Sequence, residues 1–244
     1  MPNPPPKGEN LLVNLICNVG APVVILSTLS TNDRLGPVAG LVLALLFPLG
    51  YGVWDFGRRR KANFISIIGF ASTLLTGGFG LMKLDGIWFA TKEAAVPLVI
   101  GAAVLASMRS KSPLVRTLLY NDQVINVARV QTALEEQNNL EAFNRLLAQA
   151  GYLLVVSFLL SAVLNFALAR LLLRSPAGTP EFNAELGKMN LLSWPVIVVP
   201  SMVVTFIALW RLLHGIRALT GLDFDSIFHS PPEKQTTEIK PGAP

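Results

Sequence analysis

The chain has 244 residues, of which 52% are hydrophobic and 14% are charged, and its mean hydropathy is +0.52. Soluble domains carry about 25% charged residues, so the composition argues against one large soluble domain and for a membrane protein. The net charge is +5, but the basic residues stand at the ends of apolar stretches, so nucleic acid is not an expected partner. With two histidines and one cysteine, no histidine-rich metal site and no intramolecular disulfide is expected.

Six apolar stretches can be read as helices that cross a bilayer, which takes about 20 residues. They cover residues 11–29, 37–56, 64–84, 91–108, 147–173 and 191–213. Strands of a membrane barrel would alternate apolar and polar residues, whereas these stretches are continuously apolar. The predicted fold is therefore all-α and polytopic, with about six transmembrane helices within residues 1–222.

The distribution of lysine and arginine predicts how the helices are oriented. The N-terminus, the turn with Arg58, Arg59, Arg60 and Lys61, the segment after span four and the C-terminal tail together hold 14 basic residues, and the other loops hold 6. The first set should face the cytoplasm, so both termini should lie on the inner side of a bacterial inner membrane. The basic turn can also contact anionic lipid.

The longest aqueous segment covers residues 112–146. Apolar residues recur near helical spacing on both sides of Gln137-Asn138-Asn139, which predicts two amphipathic helices, the second running into span five. We expect a short cytoplasmic helical hairpin between spans four and five, on the bundle or on the membrane surface. Residues 223–244 have little to bury and should form a disordered tail.

Three mid-span asparagines form a candidate intramembrane site. Asn14 and Asn18 lie one turn apart on one face of the first span, and Asn165 lies in the fifth. They either line a path for a substrate or ion, or form hydrogen bonds between helices, each worth about 0.6–2 kcal/mol. The second interpretation is favoured, but a water-filled cavity containing all three would favour a transporter.

A second candidate site lies at the membrane surface. Asp55 ends span two just before the basic turn, and Asp85, Trp88 and Lys92 join spans three and four. The simplest interpretations are a surface charge pair at Asp55, an interfacial turn around Trp88 and a pairing of Asp85 with Lys92. Gating, headgroup binding or the mouth of a binding site are the alternatives.

Motifs of enzymes are nearly absent. The chain lacks convergent acids, bases or metal ligands, so neither an enzyme nor a cofactor is expected. A proton-coupled path would more often show a carboxylate, and none is expected in the middle of a span. Several spans are interrupted by proline, which is typical of simple kinks and also of transporters whose broken helices build a site near the midplane. These prolines stand at positions 22, 48, 97, 195 and 200.

The run DGIWFATKEAAVPLVIGAAVLASMRSKSPLVRTLL resembles the bacterial intracellular septation protein A family. The matching positions are Asp85, Trp88, Lys92, Ser107, Pro113, Leu114 and Arg116. LSAVLNFALARLLL, with Asn165 and Ala169, is similar to a later span of that family. LLYNDQV, FNAELGKMNLLSWPVI and LTGLDFD are similar to six-span proteobacterial membrane proteins that are often labelled septation-protein-like or transporter-like.

The resemblance implies a non-enzymatic inner-membrane protein that acts in cell-envelope maintenance or division. It would do so by binding membrane lipids or other envelope or division proteins. The alternative is a small-molecule or ion transporter or channel, with a polar path lined by the mid-span asparagines. Both interpretations are compatible with a homo-oligomer, and neither needs a cofactor.

Overall fold

A computed structural model describes residues 13, 15–59, 64–110, 112–122 and 125–228, with the side chains of residues 55, 56, 58, 59 and 64–70 outside that description. These residues form helices joined by turns and loops, with one isolated β-bridge between Ile125 and Phe228. The predicted all-α class is therefore confirmed for the described part of the chain.

Nine helical segments follow one another in this part of the chain. They are α1 (Ile16–Leu29), α2 (Gly36–Arg59), α3 (Phe64–Leu81), α4 (Gly86–Ser107), α5 (Leu114–Leu119), α6 (Val127–Glu136), α7 (Leu140–Leu172), α8 (Pro180–Thr220) and α9 (Phe224–Ile227). Four helical stretches are long and apolar enough to cross a membrane: Gly36–Trp54 of α2, and the whole of α4, α7 and α8. They overlap predicted spans two, four, five and six, while α1 and α3 are the described helices in predicted spans one and three.

Wide π-helical turns occur in α1 and α8. In α1 they are Ile16–Gly20 and Ile25–Leu29, and in α8 the turn is Trp194–Val198. Proline has no backbone N–H and cannot make the regular helical hydrogen bond. Pro22 lies two residues after the first wide turn and Pro195 lies inside the last, which explains why the helices widen there instead of breaking.

Helix α8 begins at Pro180, well before the apolar stretch at 191–213 that was predicted as span six. The Thr179 hydroxyl accepts a hydrogen bond from the Phe182 backbone N–H at 3.2 Å, which caps the first turn. Phe182 and Leu186 are buried, while Lys188 is exposed. This first part of α8 is therefore amphipathic and packs against α1.

The loop between α7 and α8 is held by one carboxylate. Glu185 accepts hydrogen bonds from the backbone N–H groups of Arg174 and Ser175, both at 3.0 Å, and from the Ser175 hydroxyl at 2.8 Å. Hydrogen bonds to an ionised acceptor are the stronger kind. Glu185 thus fixes the loop to α8 one turn beyond the cap.

The chain forms two compact units. Of the described residues, those up to 102 and 156–203 form the first unit, and 103–155 and 204–228 form the second. In the first unit the fully buried Phe89 ring contacts the rings of Phe79 and Phe182, with centroids 5.8 and 5.1 Å away. The core around it consists of Ile25, Leu26, Leu41, Ala44, Ala90, Ala169, Leu173 and Leu186.

In the second unit, side chains from the turn between α6 and α7 cap the end of α8. Gln137 donates to the Thr220 carbonyl at 2.7 Å and Asn139 donates to the Leu219 carbonyl at 2.8 Å. The last turn of a helix leaves its carbonyls without helical partners, and these two amides supply them. The turn predicted at 137–139 is therefore also a helix cap.

The predicted start of the disordered tail, at residue 223, lies too early in the chain. Residues 224–227 form α9, which packs against α6. The Asn126 backbone N–H donates to the Ile227 carbonyl at 2.8 Å, and Ile227 is fully buried. Hydrophobic Phe224 and Ile227 therefore order the first part of the predicted tail, and residues 229–244 lie outside the described residues.

Candidate functional site

A cavity of about 300 Å³ lies among the helices of the first unit. Its polar lining comes from α1, α3, α4, α7 and α8. These residues are Asn18, Ser72, Thr73, Thr76, Lys92, Glu93, Asn165, Asn190 and Ser193. The remaining lining is apolar, with Leu26, Leu45 and Ile197 among it. Three of these helices, α4, α7 and α8, are long and apolar enough to cross a membrane, and they nevertheless border a partly polar space.

Lys92 is the most deeply buried charge of this cavity, with a side chain that is 5% exposed. Its ammonium donates to the Thr76 hydroxyl at 2.6 Å and to Glu93 Oε1 at 2.7 Å. The Ser72 hydroxyl and carbonyl oxygens lie farther away, at 3.4 and 3.5 Å. A buried ammonium is costly unless it is paired and hydrogen-bonded; Glu93 of α4 supplies the pairing, and Thr76 and Ser72 of α3 supply the further hydrogen bonds.

Glu93 brings a carboxylate to the same cavity. Its side chain is 26% exposed and forms the ion pair with Lys92. The sequence analysis expected no carboxylate in the middle of a span, and it did not single out Glu93. The structure places Glu93 within α4, which begins at Gly86, because the polar residues after Gly86 continue the helix instead of forming a loop.

The structure brings two of the three predicted asparagines to one site. Asn18 and Asn165 both line the cavity, and Asn14 lies outside the described residues. Asn165 Nδ2 donates to the Ser161 carbonyl at 2.8 Å, one turn earlier in its own helix, and to the Ser161 hydroxyl at 3.3 Å. These bonds lie within α7, so they do not join helices.

All three wide turns border the cavity, since Leu26 in the second turn of α1 also lines it. Asn18 lies in the first π-helical turn of α1, while Ile197 lies in that of α8 and Ser193 directly precedes it. Wide turns of this kind are frequent at functional sites. They change which side chains a helix presents on one face, and here cavity-lining polar groups lie in or beside them.

The described residues of the predicted surface site lie in different environments. Asp85 is exposed and Trp88 is 54% exposed, as an interfacial tryptophan would be, whereas Lys92 is buried. The ion pair of Lys92 is with Glu93, so the expected pairing of Asp85 with Lys92 is wrong. Asp55 and the basic residues 58–61 have side chains outside the described residues.

A second cavity, of about 380 Å³, lies in the second unit beside α5. Arg116 lines it, lies 3.4 Å from Asn144 Oδ1 and faces the Phe143 ring at 6.0 Å. Next to it, burial raises the pKa of the Tyr120 hydroxyl, and the nearby Arg116 partly opposes this rise. The sequence analysis used Arg116 only for the family resemblance.

Glu93, Asn190 and Ser193 are the polar lining residues that were not predicted to belong to a site. Asn190 and Ser193 follow the Thr179-Pro180 pair, a helix start signal that would have extended span six backwards. Ser72 and Thr76 lie four residues apart on one face of α3. Within the described part of the chain, no group of three metal-ligating residues is present.

No protein-family model, no curated protein and no solved structure matches this chain.

Proposed function

We propose that this chain is a membrane transporter that binds a small polar solute among its helices. The observation that carries the proposal is the cavity in which Lys92, Glu93, Asn18 and Asn165 line one polar space. The function is the alternative that the sequence analysis kept open, and the cavity gives it the support that the asparagines alone did not.

The physical argument rests on what such a space would contain. A polar cavity holds water or a polar ligand, and the volume of about 300 Å³ is that of about ten water molecules in the liquid. Ionisable residues inside a membrane usually mark substrate or ion pathways. If Asn165 served only to join helices, its amide would donate across a helix interface, whereas it donates to Ser161 of its own helix.

The shape of the helices supports the same function. Many transporters build their sites from helices that are interrupted near the midplane of the bilayer. Here the wide turns of α1 and α8 lie beside the cavity, with Pro22 near the first of them and Pro195 within the last. A site at irregular turns can change shape with less loss of hydrogen bonds than a site between regular helices.

We further propose six spans in the bacterial inner membrane, with both termini in the cytoplasm. The support is the excess of basic residues in the connections assigned to the inner side. Neutralising residues 58–61 should scramble the pattern of fused orientation reporters, and an unaltered pattern would contradict this orientation.

The proposal is tested by ligand binding to the full chain in lipid nanodiscs. A solute that binds only the folded protein raises its thermal unfolding temperature. We expect some member of a panel of small polar metabolites to do so, and the shift to disappear in Asn165→Leu. Gln149→Leu is the matched control, because Gln149 is an exposed amide on the same helix.

Uptake into proteoliposomes then separates binding from transport. The solute that binds should enter vesicles containing the chain and its Gln149→Leu variant, but not those containing Asn165→Leu. If only lipids shift the unfolding temperature and no solute enters the vesicles, the proposed transport function is wrong. That result would favour the lipid- or partner-binding envelope protein that the sequence resemblance implies.

A further inference from the structure

We infer that the ligand of the first-unit cavity is a zwitterion with one carboxylate, one ammonium and an aliphatic side chain, that is, an α-amino acid or a close analogue. The inference rests on the proposed function and names the substrate class of that site. It follows from the net charge of the cavity, from the contacts of Lys92 and Glu93, and from the apolar part of the lining.

The net charge of the cavity lining restricts the net charge of its ligand. Among the described residues that line the cavity, Lys92 and Glu93 are the charged ones, and they neutralise each other. A ligand with a net charge would add an uncompensated charge to a space surrounded by apolar helices, which is unfavourable. The site therefore favours a ligand whose own charges sum to zero.

Lys92 has a donor left for a carboxylate. An ammonium group has three N–H donors, and Thr76 and Glu93 take two of them at 2.6 and 2.7 Å. The third reaches only Ser72, at 3.4 and 3.5 Å, which is longer than the 2.7–2.9 Å usual for a charged donor and a carboxylate. A ligand carboxylate would replace these weak contacts.

Glu93 and Asn165 offer acceptors for an ammonium. Glu93 contacts Lys92 through Oε1, and at 26% exposure its carboxylate remains accessible from the cavity. Asn165 uses its Nδ2 for Ser161, which leaves its Oδ1 oxygen for a ligand donor. A ligand ammonium at these oxygens and a carboxylate at Lys92 would place alternating charges next to one another.

The apolar lining suits an aliphatic side chain. Leu26, Leu45 and Ile197 face the same space as the charged pair. Burying an aliphatic group there stabilises the complex by about 25 cal/mol for each Å² removed from water. An uncharged sugar would form hydrogen bonds with the asparagines, but its hydroxyl groups would lie against these apolar side chains.

The first test uses the wild-type full chain in nanodiscs, so it does not depend on any variant folding. The probes are glycine, alanine and leucine, each with its amide, which is cationic, and its deaminated acid, which is anionic. At pH 6.5 an α-amino group remains protonated. We expect at least one amino acid to raise the unfolding temperature with an apparent affinity at least tenfold above that of its amide and its acid.

A second test removes one charge of the cavity at a time and should reverse the preference for the amino acid over its amide or its acid. Lys92→Met leaves Glu93 alone in the cavity, so it should bind the amide better than the amino acid. Glu93→Gln leaves Lys92 alone, so it should bind the deaminated acid better. Lys188→Met and Glu181→Gln change exposed charges at the start of α8 and should keep the wild-type order.

The outcomes separate this inference from the proposed function. An amide or an acid that binds the wild type as tightly as its amino acid overturns the zwitterion. The zwitterion is also overturned if an unrelated polar solute binds and none of the three amino acids does, although the proposed transport function is then kept. If no solute of any charge binds or enters vesicles, both are overturned. An unchanged order of preference in both single-charge variants would also contradict the inference.

Discussion

The Lys92 ammonium lies 2.6 Å from the Thr76 hydroxyl oxygen and so connects α4 to α3 across the cavity wall. Only the neighbouring Glu93 carboxylate, at 2.7 Å, gives it an opposite charge among the described residues. One side chain therefore takes part both in the packing of two helices and in the electrostatics of the proposed site. Changes at this position should alter stability as well as binding.

Lys92→Met should lower the free energy of unfolding by about 3 kcal/mol, because removing one partner of a buried ion pair leaves the other charge uncompensated. The double variant Lys92→Met/Glu93→Gln should recover part of this loss. Thermal unfolding of the purified chain measures both effects. Lys188→Met, at an exposed position, should change stability by less than about 0.5 kcal/mol. An equal loss in Lys188→Met would contradict the role of Lys92.

Two glycines of α2 should respond differently to substitution by alanine. A Cβ atom at Gly40 would lie 2.8 Å from the backbone Cα of the buried Ser30, whereas one at Gly50 would meet nothing within 4 Å. Gly40→Ala should therefore cost about 1–3 kcal/mol through overpacking. Gly50→Ala should be neutral or gain up to about 1 kcal/mol from helix propensity. Unfolding temperatures of the two variants decide this, and a stabilised Gly40→Ala would show that α1 and α2 pack less closely.

The side-chain cap on α8 should be measurable in the second unit. Gln137→Ala and Asn139→Ala each remove one hydrogen bond to a terminal carbonyl. We expect a loss of about 1 kcal/mol for each and faster amide hydrogen exchange in residues 217–221. Gln131→Ala is the control, because Gln131 bonds only Glu135 of its own helix among the described residues. Unchanged exchange at the end of α8 would argue against the cap.

Alkaline pH should destabilise the chain partly through Tyr120. Burial, opposed in part by Arg116, raises the pKa of this hydroxyl in the folded state, while the unfolded value is about 10. The unfolded state then loses its proton first, so stability is fully present below pH 10 and falls as the pH rises above it. Unfolding measured from pH 8 to 11 should decline less steeply in Tyr120→Phe than in the wild type. Parallel declines would show that Tyr120 does not contribute.

The helical class and two members of the cavity were predictable from the sequence. Long apolar stretches have few alternatives to helices in a membrane protein. Asn18 and Asn165 stand out because mid-span polar side chains turn away from lipid, and both line the cavity. Local residue types were enough for these predictions.

The charged part of the site was not predictable in the same way. Lys92 stands seven residues after Asp85 and close to the predicted loop, so position along the chain placed it at the membrane surface. Its burial depends on Thr76, sixteen residues away in another helix, and such a pairing has no local signal. Likewise, the apolar stretch of predicted span six begins at residue 191, and the buried Phe182 and Leu186 before it stand among polar residues.

The carboxylate of Glu185 has a mechanical consequence. It bonds the loop after α7 through three donors, so the start of α8 and the end of α7 should move as one piece. A displacement of this piece needs a compliant joint, and the wide turn Trp194–Val198, with Pro195 in it, is the nearest one along α8. Opening of the cavity should therefore be a swing of this piece about the turn. A change at Pro195 that stiffens the turn should slow the opening. Glu185→Gln should ease the opening only if the loop first separates from α8.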